Sequence, residues 1–507
     1  MKVKLRHSVL YTMLAASGVS LTVHSAVSVD TSALRDAVTV EGVRAHQQVF
    51  QNIADANGGI REASSQGYFE SVDYVADEMA AAGYEVNIQP FDYPFFEELE
   101  AAIMAQISPV PTDYPYFDAA GFATMSYSGS GDVNAIAEGV DLVLPPAADA
   151  NTSTSGCEAS DFDGFGAGNI AVIQRGSCSF ALKAQNAEAA GAVGVIIFNE
   201  GQTGRTDAFL GTLGGPGSTI PVVGAAFDVG ADLGAGGAEV RMFVNATSEI
   251  RESYNVIADS QGGRDDRVVV VGAHLDSVSE GPGIQDNGTG SAAILEIALQ
   301  MAELGIDPVN QVRFAWWGAE EAGLLGSEFY VANLGKRDIK NIALNLNFDM
   351  IGSPNFVRFV YDGDGSATGT AGPNGSKNIE SVFLKHFEAE GLAVEATAFD
   401  GRSDYGPFIA VGIPAGGLFT GAEGIKTEEQ VAIYGGTAGD QYDPCYHLAC
   451  DTFDNISLEA LDQMSDAAAH SVLSFAMTTS SVNGTDKGKG LGKFKDAMEF
   501  RGSKLVR

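Results

Sequence analysis

The chain has 507 residues, 45% of them hydrophobic and 19% charged, enough to bury at least one large core and too apolar for a disordered protein. Lys and Arg number 29 against 66 Asp and Glu, and the resulting net charge of −37 excludes nucleic-acid binding, which needs a basic face. The excess of acid reads as a solvated surface that keeps the protein dissolved.

In chain order, residues 1–26 carry Lys2, Lys4 and Arg6, then the apolar stretch VLYTMLAASGVSLTV, then Ser25 and Ala26. This is the pattern of a secretory signal peptide cut near Ala26, with Ser25 as a rival cleavage residue because His24 fits poorly before the cut. The apolar segment is short and broken by Ser and Thr, and no later stretch offers the roughly 20 apolar residues of a spanning helix, so no stable membrane insertion is expected. The mature protein is expected to be secreted, to the periplasm or the exterior.

From Ser32 to Gly83 apolar residues recur at helical spacing, and Gly83 supplies a helix stop. YEVNIQPFDY then alternates like a strand. Residues 126–246 are Gly-rich with short apolar runs; within them NIAVIQRGSCSFALKAQNAEAAGAVGVIIFNE reads strand, turn, helix, strand, with Ser179 as cap and Gly191 as stop. From about 253 to 480 strands such as RVVVVGAH, QVRFAWW and IALNLNFDM alternate with helices, which implies an α/β fold with a mostly parallel sheet. Residues 481–507 are Gly- and Lys-rich and read as a flexible or processed tail. The four cysteines form two close pairs, Cys157 with Cys178 and Cys445 with Cys450, which need the least chain closure as disulfides. Their spacing does not match a zinc knuckle.

In an open parallel sheet, ligands bind beyond the carboxyl ends of the strands. His274 ends one strand and Asp276 follows it; Asp286 lies in the loop GPGIQDNGTGS; Glu320 and Glu321 follow QVRFAWW; Asp349 ends NLNFDM. Singly, each has a plainer reading: Asp286 as a helix cap, His274 as a core histidine, Asp349 as a turn residue. Together on one rim they would repel one another unless a divalent metal pair holds them. One of the adjacent glutamates then binds metal, and its neighbour takes a proton from water. A further imidazole is expected. His447 stands out, bracketed by Cys445 and Cys450, with Tyr446 beside it to donate a phenolic proton to a developing oxyanion. His46, His386 and His470 sit in amphipathic helical stretches where packing suffices.

The motifs GAHLDS, DNGTGSA, WGAEEAGLLGS, NFDMIGSPN, DGRSDYGPF and CYHLACDT resemble those of the secreted double-zinc aminopeptidases of metallopeptidase clan MH, across roughly residues 35 to 480. The stretch from about 130 to 245 resembles the protease-associated domain inserted in many members. The resemblance implies a three-layer phosphorylase/hydrolase-like peptidase domain, with a smaller β-rich domain inserted in it. The expected division is 30–125 and 247–480 for the peptidase domain and 126–246 for the insert.

It further implies two Zn2+ per chain, His274 and Asp349 on one, Glu321 and His447 on the other, with Asp286 bridging. Asp276 would orient His274, Glu320 would act as general base, Tyr446 would stabilise the tetrahedral intermediate, and Arg402 would contact substrate. Arg402 reads as readily as an ion pair with Asp400 or Asp404. Manganese or cobalt would also suit such a donor set. The expected substrates are peptides, and a cationic α-amine suits an acidic rim. The segment GGLFTGA, Gly416 to Ala422, looks like a side-chain pocket wall whose Leu418 and Phe419 favour apolar, Leu-like N-terminal residues, and ordinary core packing would explain the two as well. Two rivals remain. A metallo-carboxypeptidase of the same family would need a basic pocket, and no Arg or Lys cluster surrounds the motifs; a non-catalytic peptide-binding protein would be expected to have lost ligands.

Overall fold

The structure, a computed structural model, describes residues 29–483. The expected leader lies outside these residues, as does the expected tail beyond the short helix Ser480–Asn483.

Four parallel strands make the centre of the sheet, in the spatial order Asn310–Trp317, Arg264–His274, Ile342–Phe348 and Ala415–Phe419. Short strands Phe359–Tyr361 and Glu395–Thr397 extend one edge; the end of the strand Glu239–Asp259 pairs antiparallel on the other. The Val- and Phe-rich runs form strands here because both faces are covered. Alternation divides them: Val269, Val271 and Ala273 pack beneath the helices Val40–Ala56, Gly288–Glu303 and Leu458–Met477, whereas Val268 and Val270 meet Tyr330 and Phe408 on the opposite face. The adjacent Trp316 and Trp317 fall to opposite faces for the same reason, and both are fully buried. Helix, sheet and helix thus form the three layers expected.

The strand expected around YEVNIQPFDY runs much further, from Glu85 to Ser108. It pairs antiparallel with Glu239–Asp259 along almost its whole length and forms a two-stranded ribbon. Glu, Leu and Ala between residues 97 and 105 favour helix on propensity, and cross-strand pairing overrides that preference. The far end of the ribbon carries the β-rich insert, with parallel strands Gly131–Val140, Ile170–Gln174, Gly194–Phe198 and Val222–Ala225. Its strand–turn–helix–strand unit forms as read: the Ser179 side chain accepts the Leu182 N–H and caps the helix Phe180–Ala189, and Gly191 supplies the left-handed turn at φ 88°. Both expected disulfides, Cys157–Cys178 and Cys445–Cys450, are present. Among the described residues no helix is long and apolar enough to cross a membrane.

Candidate metal centre

The rim of the central strands gathers the candidate residues because each strand ends where its side chains can turn inward over the sheet. The helix Gly288–Glu303 starts against the end of the Asp349 strand, fixed by Asn287. Asn287 Oδ1 accepts the N–H groups of Gly290 and Met350, and its Nδ2 donates to the Phe348 carbonyl. Asn287, not Asp286, is therefore the helix cap, and Asp286 is left free for the centre. A Cβ on Gly290 would lie 2.1 Å from the Phe348 carbonyl oxygen, so only glycine permits this approach.

His274 Nε2 lies 3.2 Å from Asp286 Oδ1 and 3.2 Å from Asp349 Oδ1. His447 Nε2 lies 3.4 Å from Asp286 Oδ2 and 3.0 Å from Glu321 Oε2. Asp286 thus presents one oxygen to each of two triads, His274–Asp286–Asp349 and Glu321–Asp286–His447. Tetrahedral zinc with bonds of about 2.0–2.1 Å sets its ligand atoms roughly 3.3 Å apart. The four donor separations fit that spacing. Glu321 Oε1 is buried with no hydrogen-bond partner, a further sign of a cation-directed donor. The residues present therefore fit the expected ion pair.

Neighbouring groups aim these donors. His274 Nδ1 faces the Asp276 backbone carbonyl at 3.2 Å and its carboxylate at 3.5 Å, which turns Nε2 toward the centre. The same Asp276 carboxylate accepts the backbone N–H groups of Glu320 and Glu321 at 3.2 and 3.4 Å. One side chain thereby sets the imidazole and both glutamates. Ala319, Met350 and His447 hold left-handed backbone at φ 53°, 53° and 58°, so non-glycine strain gathers beside or at the donors.

Burial raises the Glu320 carboxyl well above its ordinary range; His274 opposes this, while Asp404, Glu321 and Asp349 add to it. Burial and the Asp286 carboxylate push Glu321 up to about 7. Burial works against charge on His447, yet Glu321 and Asp286 push its pKa up to about 11. Desolvation likewise opposes ionisation of Asp286, but hydrogen bonds with both imidazoles hold it below the usual carboxylate range. Crowding of this kind among carboxylates is what divalent cations relieve.

Several contributors escaped the sequence reading. Asp451 accepts the N–H groups of Gln285 and Asp286 at 2.8 and 3.0 Å and fixes the loop that carries Asp286. Ser403 donates to Asp349 Oδ2 at 2.6 Å and is itself held by Asn347. Arg61, fully buried, donates to the carbonyls of Leu275, Pro282 and Gly283 and ties two site loops together; burial pulls its pKa down to about 10. Asp451 and Ser403 lie inside the motifs CYHLACDT and DGRSDYGPF, so the signal was present without a local rule to single them out.

A cavity of about 80 Å³ opens on the centre, lined among others by Met350, Tyr361, Arg402, Phe419, Ala422 and Tyr446. Arg402 pairs neither with Asp404 nor, through its side chain, with Asp400. Its guanidinium meets Glu423 at 2.9 Å and the Tyr446 hydroxyl at 3.3 Å; only its backbone N–H reaches Asp400. Phe419 faces the cavity, but Leu418 turns into the core, as alternation along the strand requires.

Residues 255–472 match Peptidase family M28, and residues 139–233 match the PA domain. A protein named "Aminopeptidase" from Pseudomonas aeruginosa is 48% identical over 446 residues, covering 86% of this chain and 81% of that one. "Leucine aminopeptidase 2" of Trichophyton equinum is 39% identical over 449 residues, covering 87% and 85%. Among solved structures, the aminopeptidase from Aneurinibacillus sp. strain AM-1 superposes with a TM-score of 0.62 at 28% identity, covering 87% of this chain and 95% of that one. With an aminopeptidase relative of such identity over most of both sequences, a matching fold and the family's own motifs, the chain belongs to the aminopeptidases of peptidase family M28, with a PA domain inserted in it.

Proposed function

We propose that the chain is an exported, zinc-dependent aminopeptidase with two metal ions per chain, removing apolar N-terminal residues from peptides, and that residues 126–246 are an inserted unit. The observation that carries this reading is the division of Asp286, one oxygen toward His274 and the other toward His447, at 3.2 and 3.4 Å. His274, Asp349 and Asp286 would hold one zinc; Glu321, His447 and Asp286 the other. Zinc held there would supply Lewis acidity toward the scissile carbonyl and acidify the attacking water.

The protein's own groups do the rest. Glu320, whose burial makes it a stronger base than an ordinary carboxylate, takes a proton from the water whose oxygen attacks the carbonyl carbon. The C–N bond then breaks, and Glu320 returns that proton to the leaving amine. Tyr446 stays protonated, because burial and the carboxylates of Asp286 and Glu321 disfavour its phenolate, and its hydroxyl donates to the oxyanion. Arg402 steadies that hydroxyl. The acidic rim attracts the ammonium of a free N-terminus, while Met350, Tyr361 and Phe419 offer an apolar wall to its side chain. Arg402, the only arginine among the described residues lining the cavity, is already paired with Glu423, which disfavours binding of a terminal carboxylate and hence the carboxypeptidase alternative.

The test compares hydrolysis of Leu-p-nitroanilide with glutamate release from a blocked dipeptide, with and without chelator. The expected result is chelator-sensitive cleavage of the first substrate alone. Glu320→Gln should lower kcat by about 10²–10⁴-fold with metal content retained; unchanged turnover would remove Glu320 from the chemistry.

A further inference from the structure

Beside the centre lies a second and larger cavity, about 250 Å³ against about 80 Å³. Glu321 lines both, so the two cavities adjoin at that residue. One wall comes from the peptidase loops, at Glu62 and from Asp276 to Glu280. The other comes from the ribbon, at Phe95, Phe96 and Glu97, and from Tyr127 beyond it in the inserted stretch. Phe96 and Tyr127 pack edge to face, with ring centroids 5.8 Å apart, and brace that wall.

The charge of the cleft is one-sided. Glu62, Glu97 and Glu280 contribute carboxylates, and no lysine or arginine is among the described lining residues. Arg251, whose guanidinium carbon lies 3.4 Å from the centre of the Phe95 ring, is engaged by Glu249 at 2.8 Å and Glu62 at 3.9 Å. Glu280 is exposed and Glu97 half-exposed, so neither is used up in packing.

We propose that this cleft holds the peptide residues that follow the scissile bond, and that its carboxylates make the enzyme favour chains carrying lysine or arginine there. The inference rests on the aminopeptidase reading, since it takes the first cavity as the seat of the N-terminal residue. An extended peptide leaving that cavity past Glu321 has its continuation in the cleft, where aromatic rings cover its aliphatic stems and carboxylates meet its cationic heads. The inserted stretch then contributes to specificity by supplying part of the far wall.

The experiment measures kcat/KM for Leu-Lys-Lys-amide and Leu-Glu-Glu-amide in low salt, and takes their ratio within each protein so that differences in folding cancel. The native enzyme should favour the lysine peptide by about tenfold or more, and 1 M salt should bring the ratio toward one, because such salt screens charges beyond about 3 Å. Glu97→Lys combined with Glu280→Lys should lower the ratio to one or below, and the milder E97Q/E280Q pair should lower it several-fold. A ratio near one in the native enzyme, or a ratio that the charge-reversed protein retains, overturns the proposal. If native protein fails to cleave Leu-p-nitroanilide, which ends at the scissile bond, the aminopeptidase reading itself has failed; cleavage of that substrate with no peptide preference rejects the cleft alone.

Discussion

Asp451 grips Asp286 from behind: its carboxylate accepts the Asp286 backbone N–H at 3.0 Å and that of Gln285 at 2.8 Å. Asp451 is nearly inaccessible and follows Cys450 directly. The loop that carries His447 and the loop that carries Asp286 are thereby joined without either side chain being consumed.

Removing that grip should loosen the centre. Asp451→Ala leaves two buried N–H groups without an acceptor, a cost of about 2–3 kcal/mol in stability. Zinc affinity should fall about 10–100-fold. Thermal melts beside chelator competition check both, and Asp451→Asn, which retains one acceptor oxygen, should lie between the two proteins.

The two disulfides should separate stability from metal retention. Cys157–Cys178 spans 21 residues and Cys445–Cys450 spans 5. Loop entropy therefore assigns the first about 3 kcal/mol and the second about 2 kcal/mol. Only the second brackets His447. Serine replacement of the first pair should cost more stability and leave metal content intact; replacement of the second should cost less and release metal more readily. Melting curves and metal analysis of both variants decide it.

Far from the centre, His470 stacks on His386 with centroids 4.8 Å apart, and its Nδ1 lies 2.8 Å from the Thr31 hydroxyl. Burial, then the charges of His386 and Arg35, pull its pKa down to about 4. A depressed pKa means that the unfolded chain binds more protons between about 6.5 and 4. The stability from neutral His470 is therefore complete above about 6.5 and is lost as pH falls toward 4. The difference in melting temperature between native protein and His470→Gln should shrink over that window. A constant difference would show that His470 does not titrate with folding.

Much of this architecture could be read from the sequence because it follows local rules. The Val-rich runs around residue 270, the breaks after His274 and Asp349, and the paired cysteines state periodicity, strand ends and short closures directly. What escaped depends on partners far along the chain. The ribbon continues past Phe95 only because residues 239–248 lie beside it. Arg402 chooses Glu423 over the nearer Asp400 and Asp404 because the fold brings residue 423 across the cavity. Leu418 and Phe419 are chemically alike, and only the orientation of their strand tells core from cavity. Asp451 and Ser403 act by aiming other groups, a role that residue type alone does not announce.

The central claim is that Asp286 joins two cation sites, one completed by His274 and Asp349 and the other by Glu321 and His447. Counting zinc per chain after supplementation and exhaustive dialysis tests it most directly, in native protein and in the Asp286→Ala, His274→Ala and His447→Ala variants. The account predicts two ions in the native chain, about one in each histidine variant, and at most traces in Asp286→Ala. A folded native protein that retains no zinc, or an Asp286→Ala protein that retains both ions, would contradict it.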